Sequence, residues 1–165
     1  MDSRFTQTKN AVDRLKKDYA NHSNLVIAFD FDDTVFDYHH RGDTYSQVID
    51  ALRRAQDHNL SLTCLTRVYK MDDLIFKSKY IEQVLRLTLD TDNNRVNLNA
   101  NAYGEDDADL FEEFYNKPFF NLLLDDKAGL GQALEILQEF LNYLDVEYPI
   151  TKATAEYSDD LLNDI

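Results

Sequence analysis

The run LVIAF at residues 25–29 most constrains the fold of this chain. Five apolar residues in succession are too few for a buried helix and lack the alternation of a half-exposed strand. They describe a strand covered on both faces, and such strands belong to parallel sheets packed under helices. FFNLLL at 119–124 has the same character. Both runs end in acid: Asp30, Asp32 and Asp33 follow the first, Asp125 and Asp126 the second.

Between them the periodicity alternates as an α/β fold requires. LSLTCLT at 60–66 reads as another strand, and TYSQVIDALRRAQDHN before it spaces Val48, Ile49, Leu52 and Ala55 along a helical stripe, with Asp43 in place to cap it. Strand, helix and strand form a βαβ unit with a right-handed crossover, which brings Thr66 to the same sheet edge as Asp30. Helices are predicted over 3–20, 71–89 and 129–144, a weaker strand over 95–100, and a short acidic helix within 104–118. The expected architecture is a three-layer, Rossmann-like parallel sheet of four or more strands with helices on both faces. Residues 1–22 form a docking helix, 23–145 the core and 146–165 an acidic tail.

Charge narrows the partners. With 31 acidic against 17 basic residues the net charge is −14, a field that repels polyanions, so long nucleic acid is disfavoured as a ligand. A small phosphorylated substrate needs only a local basic pocket, and a divalent cation reverses the local sign. Cys64 is the single cysteine and reads as a small buried apolar residue. The N-terminus lacks the apolar core of a signal peptide, and no stretch approaches the ~20 apolar residues of a membrane span. A cytoplasmic protein with no membrane association is expected.

In open α/β sheets, ligands bind beyond the carboxyl ends of the strands, where Asp30, Asp32, Asp33, Thr66, Asp125 and Asp126 are all predicted to lie. Any one aspartate there is explained by turn capping. Two buried strands that each end in clustered aspartates are not, because converging carboxylates repel one another unless a positive charge sits between them. Hard oxygen ligands in that arrangement suit Mg2+.

These residues resemble the haloacid dehalogenase superfamily of phosphatases, in particular its nucleotidase-like members. DFDDT at 30–34 is similar to the first signature, D-x-D-x-T, Thr66 to the second, and LLLDD at 122–126 to the fourth. The resemblance covers about 25–144. It implies an aspartyl-phosphate mechanism with Asp30 as nucleophile, Asp32 as general acid and base, and Thr66 as a hydrogen-bond donor to the phosphoryl group. It also implies Mg2+ held by Asp30, the backbone carbonyl of Asp32, Asp125 and Asp126.

The sequence departs from the family pattern at two points. Asp33 stands where the family often has Gly, and is expected to cap a turn. The third signature, a lysine that neutralises the nucleophile, has several candidates: Lys79 is preferred, with Lys77 and Lys117 as competitors. His39 and His40 are expected on a surface loop, and Arg67 is a further candidate phosphate contact. Only a loop, a helix and a strand fit between Asp32 and Thr66, and predicted core elements fill most of 66–125, so the resemblance implies no sizeable cap domain. The expected activity is hydrolysis of a small phosphomonoester, a nucleotide among the candidates. The alternatives are a signalling receiver domain, whose phosphorylated Asp should end the third strand, and a noncatalytic interaction protein on the same fold.

Overall fold

The apolar run at 25–29 forms the centre of the sheet in the computed structural model, which describes residues 3–88, 97–102 and 119–150. Strand β1 (Val26–Asp30) lies between β2 (Ser61–Val68) and β4 (Leu122–Leu124), with β3 (Asn97–Ala102) outside β2. All pairings are parallel and the order is β3-β2-β1-β4. The protein is therefore α/β, with a parallel sheet flanked by helices. Ile27, Ala28 and Phe29 are all inaccessible to solvent, as a central strand requires.

Helix α1 (Ser3–His22) buries Val12 and Leu15, three residues apart on one helical face. α2 (Ser46–Asp57) buries Val48, Ala51, Leu52 and Ala55. α4 (Leu130–Glu147) packs on α1, α2 and β4 through Ala133, Leu134, Ile136, Leu137, Phe140, Leu141 and Leu144. At about 1.5–3 kcal/mol per fully buried large apolar side chain, this stripe is a main attachment of the helices to the sheet.

Several boundaries differ from the expectation. The strand predicted at 119–124 is paired in ladder form only at Leu122–Leu124, and Phe119 is 73% exposed. Asn121 ends the ladder: its N–H donates to the Val26 carbonyl at 2.8 Å and its Oδ1 accepts the Val26 N–H at 2.8 Å. A side chain there does the work of a strand carbonyl. Asp43 does not cap α2. It accepts the Tyr45 N–H at 2.8 Å, while Tyr45 precedes the helix in a left-handed conformation with no side-chain cap.

The helix predicted over 71–89 is shorter. α3 (Met71–Lys79) passes into one π-helical turn, Tyr80–Val84, where the Leu85 N–H donates to the Tyr80 carbonyl. Arg86, at φ 55°, ends it, and Arg53 of α2 donates to the Leu85 carbonyl at 2.9 Å. The third strand lies two residues later than expected, and the final helix continues to Glu147. The predicted acidic helix within 104–118 and most of the predicted tail, 151–165, lie outside the described residues. Between β1 and β2 the chain holds only a loop and α2; part of 66–125 lies outside the described residues, so the cap expectation stands there as sequence reasoning alone.

Candidate active site

Strand register assembles the site. Phe29 pairs with Leu124, so the next residues, Asp30 and Asp125, leave the sheet side by side. On the other flank Asp30 pairs with Leu65, so Thr66 stands one residue further along the same edge. Carboxylate oxygens of Asp30, Asp125 and Asp126 lie within 4.8 Å of one another.

The electrostatics of this triad are unfavourable as it stands. Burial, and then the charges of Asp125, Asp126 and Asp32, raise the Asp30 pKa from 3.8 to about 7, against a Phe31 N–H that donates to Asp30 Oδ1 at 2.8 Å. Burial, followed by Asp125, also pushes Asp126 above the ordinary carboxylate value. Asp126 Oδ1 is buried without a hydrogen-bond partner. A buried acceptor left unmatched costs about 1–3 kcal/mol. Three converging hard oxygen donors, one of them orphaned, could hold a metal cation.

The turn after β1 locks the triad in place. Thr34, fully buried, accepts the Asp126 N–H through Oγ1 at 3.2 Å and so ties the first acidic cluster to the second. Asp33 is 3% exposed and left-handed at φ 55°, in the position where Gly would be unstrained. Its carboxylate accepts the His39 N–H at 3.2 Å and pairs with His39 Nδ1. Burial pushes the Asp33 carboxyl up, but the His39 hydrogen bonds outweigh it and hold the group below its ordinary value. Asp33 thus braces the turn, as the sequence implied, and His39 is its partner rather than only a loop residue.

A lysine does reach the edge, and it is Lys77. Its side chain enters from α3, only 7% of the residue is exposed, and Nζ donates to Thr66 Oγ1, to the Arg67 carbonyl at 3.1 Å and to Asp32 Oδ2 at 3.4 Å. The preference for Lys79 is corrected: two residues on, it lies about 200° around the helix and is exposed. Lys117 lies outside the described residues.

The Asp32 carboxylate faces Lys77 and takes no part in the triad, so the side-chain ligands grouped by the structure are Asp30, Asp125 and Asp126. Sequence reasoning assigned no role to Thr34 or to the His39–Asp33 pair. Cys64 is fully buried, its thiol pushed well above its ordinary value first by burial and then by Asp30, and is inert packing. No helix among the described residues is long and apolar enough to cross a membrane. No protein-family model matches the chain, and neither does any curated protein or solved structure.

Proposed function

We propose that the protein is a Mg2+-dependent phosphomonoester hydrolase of the haloacid dehalogenase type, acting on a small phosphorylated metabolite through an aspartyl-phosphate. The observation that carries this reading is the convergence of Asp30 with Asp125 and Asp126, one oxygen of which is buried without a partner. Asp30, Asp125 and Asp126 would hold the cation, with the Asp32 carbonyl as a further ligand. Bound there, Mg2+ neutralises the crowded carboxylates and the incoming phosphoryl group.

The residues divide the work. An oxygen of Asp30 attacks phosphorus and the bond to the leaving oxygen breaks, while Asp32 gives that oxygen its proton. Water then attacks the aspartyl-phosphate, Asp32 takes the proton of the water, and phosphate and free Asp30 are released. Lys77, buried against Thr66 and Asp32, balances charge on the phosphoryl oxygens together with the Thr66 hydroxyl, contacts of the kind that contribute about 10²–10³-fold in rate. Such positioning is most of what an enzyme supplies to phosphoryl transfer.

The receiver alternative loses ground on topology. β3 is separated from β1 by β2 and its six residues, NLNANA, include no Asp. The test is a Mg2+-dependent screen of sugar phosphates, nucleoside monophosphates and an aryl phosphate, with Asp30→Asn in parallel. Hydrolysis in the wild type alone supports the mechanism; equal hydrolysis by Asp30→Asn removes the nucleophile.

A further inference from the structure

The edge of the sheet opposite the triad holds a cavity of about 810 Å³, within the size range of small-molecule sites. Its walls are the C-terminal half of α1, the chain entering β1 at Leu25 and Val26, and Phe119, Phe120 and Asn121 ahead of β4. Val26 opens the strand that ends at Asp30, so about 13 Å of β1 separates the cavity from the acidic cluster. None of the lining residues takes part in the chemistry proposed above.

The polar side of the cavity comes from one stripe of α1. Arg14, Asp18 and His22 follow one another at i, i+4 and i+8, and all three line it. Arg14 and Asp18 have the spacing at which opposite charges pair on a helix, yet each turns to Asn121 instead. The Arg14 guanidinium donates to the Asn121 carbonyl at 3.4 Å, a long contact that leaves most of its N–H donors unused. Asp18 Oδ2 accepts the Asn121 side-chain amide at 3.2 Å, and Asp18 Oδ1 and the His22 ring have no hydrogen-bond partner among the described residues. The other side is aromatic: Phe119 is 73% exposed and adjoins the half-buried Phe120. Apolar and aromatic walls with a few convergent polar groups are the composition of a ligand site.

The charges select the ligand class. A plain anion meets Asp18 and a protein of net charge −14, and a plain cation meets Arg14. A molecule carrying both signs answers both, and side chains at i and i+4 start about 5–6 Å apart, a separation that a compact zwitterion spans. We propose that this cavity binds a small zwitterion with an apolar group, of the class of α-amino acids bearing an aromatic or branched side chain. Its carboxylate lies on the planar Arg14 fork, its ammonium on Asp18, and its apolar group against Phe119 and Phe120. The inference stands apart from the phosphatase reading, since no step of it uses the triad or Mg2+.

Calorimetry on the full chain without Mg2+ tests it, with L-phenylalanine and L-leucine set against probes that each lack one group: 3-phenylpropanoate, phenethylamine and glycine. One saturable site is expected for the two amino acids, with each of the three probes weaker than L-phenylalanine by about tenfold or more. Arg14→Gln should cost L-phenylalanine about tenfold and leave phenethylamine unchanged, because the lost contact is to the carboxylate. Phe119→Ser should also weaken L-phenylalanine. Both replaced side chains are exposed, so the variants stay folded, which circular dichroism checks. Binding of 3-phenylpropanoate as tight as that of L-phenylalanine would make this a plain anion site, and equally tight phenethylamine a cation site; either overturns the proposal. So does binding untouched by Arg14→Gln or by Phe119→Ser, or the absence of saturable heat with both amino acids at about 10 mM.

Discussion

The two edges of the sheet satisfy their polar groups in opposite ways. At the amino edge, polar side chains pair with matched partners: Asn24 Nδ2 donates to Ser61 Oγ at 2.8 Å, Asn121 Oδ1 accepts the backbone N–H of Val26, and Asn121 Nδ2 donates to the Asp18 carboxylate at 3.2 Å. At the carboxyl edge, like charges crowd together, Asp30 is held near neutral pKa, and one oxygen of Asp126 is left over. These hydrogen bonds of the amino edge are complete as folded and serve stability. The carboxyl edge is left with carboxylate repulsion and an unmatched oxygen, which the proposed cation would relieve.

The comparison breaks most sharply at Asp30. Asp30→Asn should lower turnover by about 10³-fold or more while the chain stays folded, since amide and carboxylate are nearly isosteric and a repulsive charge is removed; steady-state kinetics with circular dichroism checks both halves. Next in size, Lys77→Met should cost about 10²-fold in kcat/KM, against about twofold or less for Lys79→Met. Equal effects of the two substitutions would deny Lys77 its assigned place. At the opposite edge, Asn121→Ala should cost about 1–3 kcal/mol in a denaturant titration by orphaning the Val26 N–H, with activity per folded molecule nearly unchanged.

The smallest effect is one of pH. Asp30 binds its proton more tightly when folded than when unfolded, so between pH 3.8 and about 7 the folded state retains a proton that the unfolded state has lost. The contribution of Asp30 to stability is therefore full below pH 3.8, declines as pH rises and is lost above about 7. Because the group is partly exposed, solvent screening keeps the slope shallow. Melting temperatures of the metal-free protein across this window should fall more steeply for wild type than for Asp30→Asn.

Much of this edge was legible in the sequence because it depends on short-range pattern. LVIAF and LLL each give a covered strand, and a parallel register then places the residues after them side by side, whatever the rest of the chain does. The lysine was harder. Lys77 and Lys79 both follow Thr66 at plausible distance, and only helical phase separates them: Leu74, Lys77 and Ile81 fall at i, i+3 and i+7, which places Lys77 on the inward stripe. That signal was present in the apolar spacing. The π-helical turn after α3, the Asp33–His39 pair and the use of Asn121 as a substitute strand carbonyl arise from loop geometry and tertiary contact, which linear periodicity does not encode.

The central claim, that the carboxyl edge is a cation site awaiting completion, is tested most directly by titrating the metal-free protein with Mg2+ in a calorimeter, alongside Asp126→Asn. One saturable site is expected in the wild type, with a rise in melting temperature as Mg2+ is added and affinity at least about tenfold weaker in the variant. Without Mg2+, Asp126→Asn should be at least as stable as the wild type, because it removes charge from a repulsive cluster. Absence of binding heat and an unchanged melting temperature up to about 10 mM Mg2+, or equal binding by Asp126→Asn, would contradict the account.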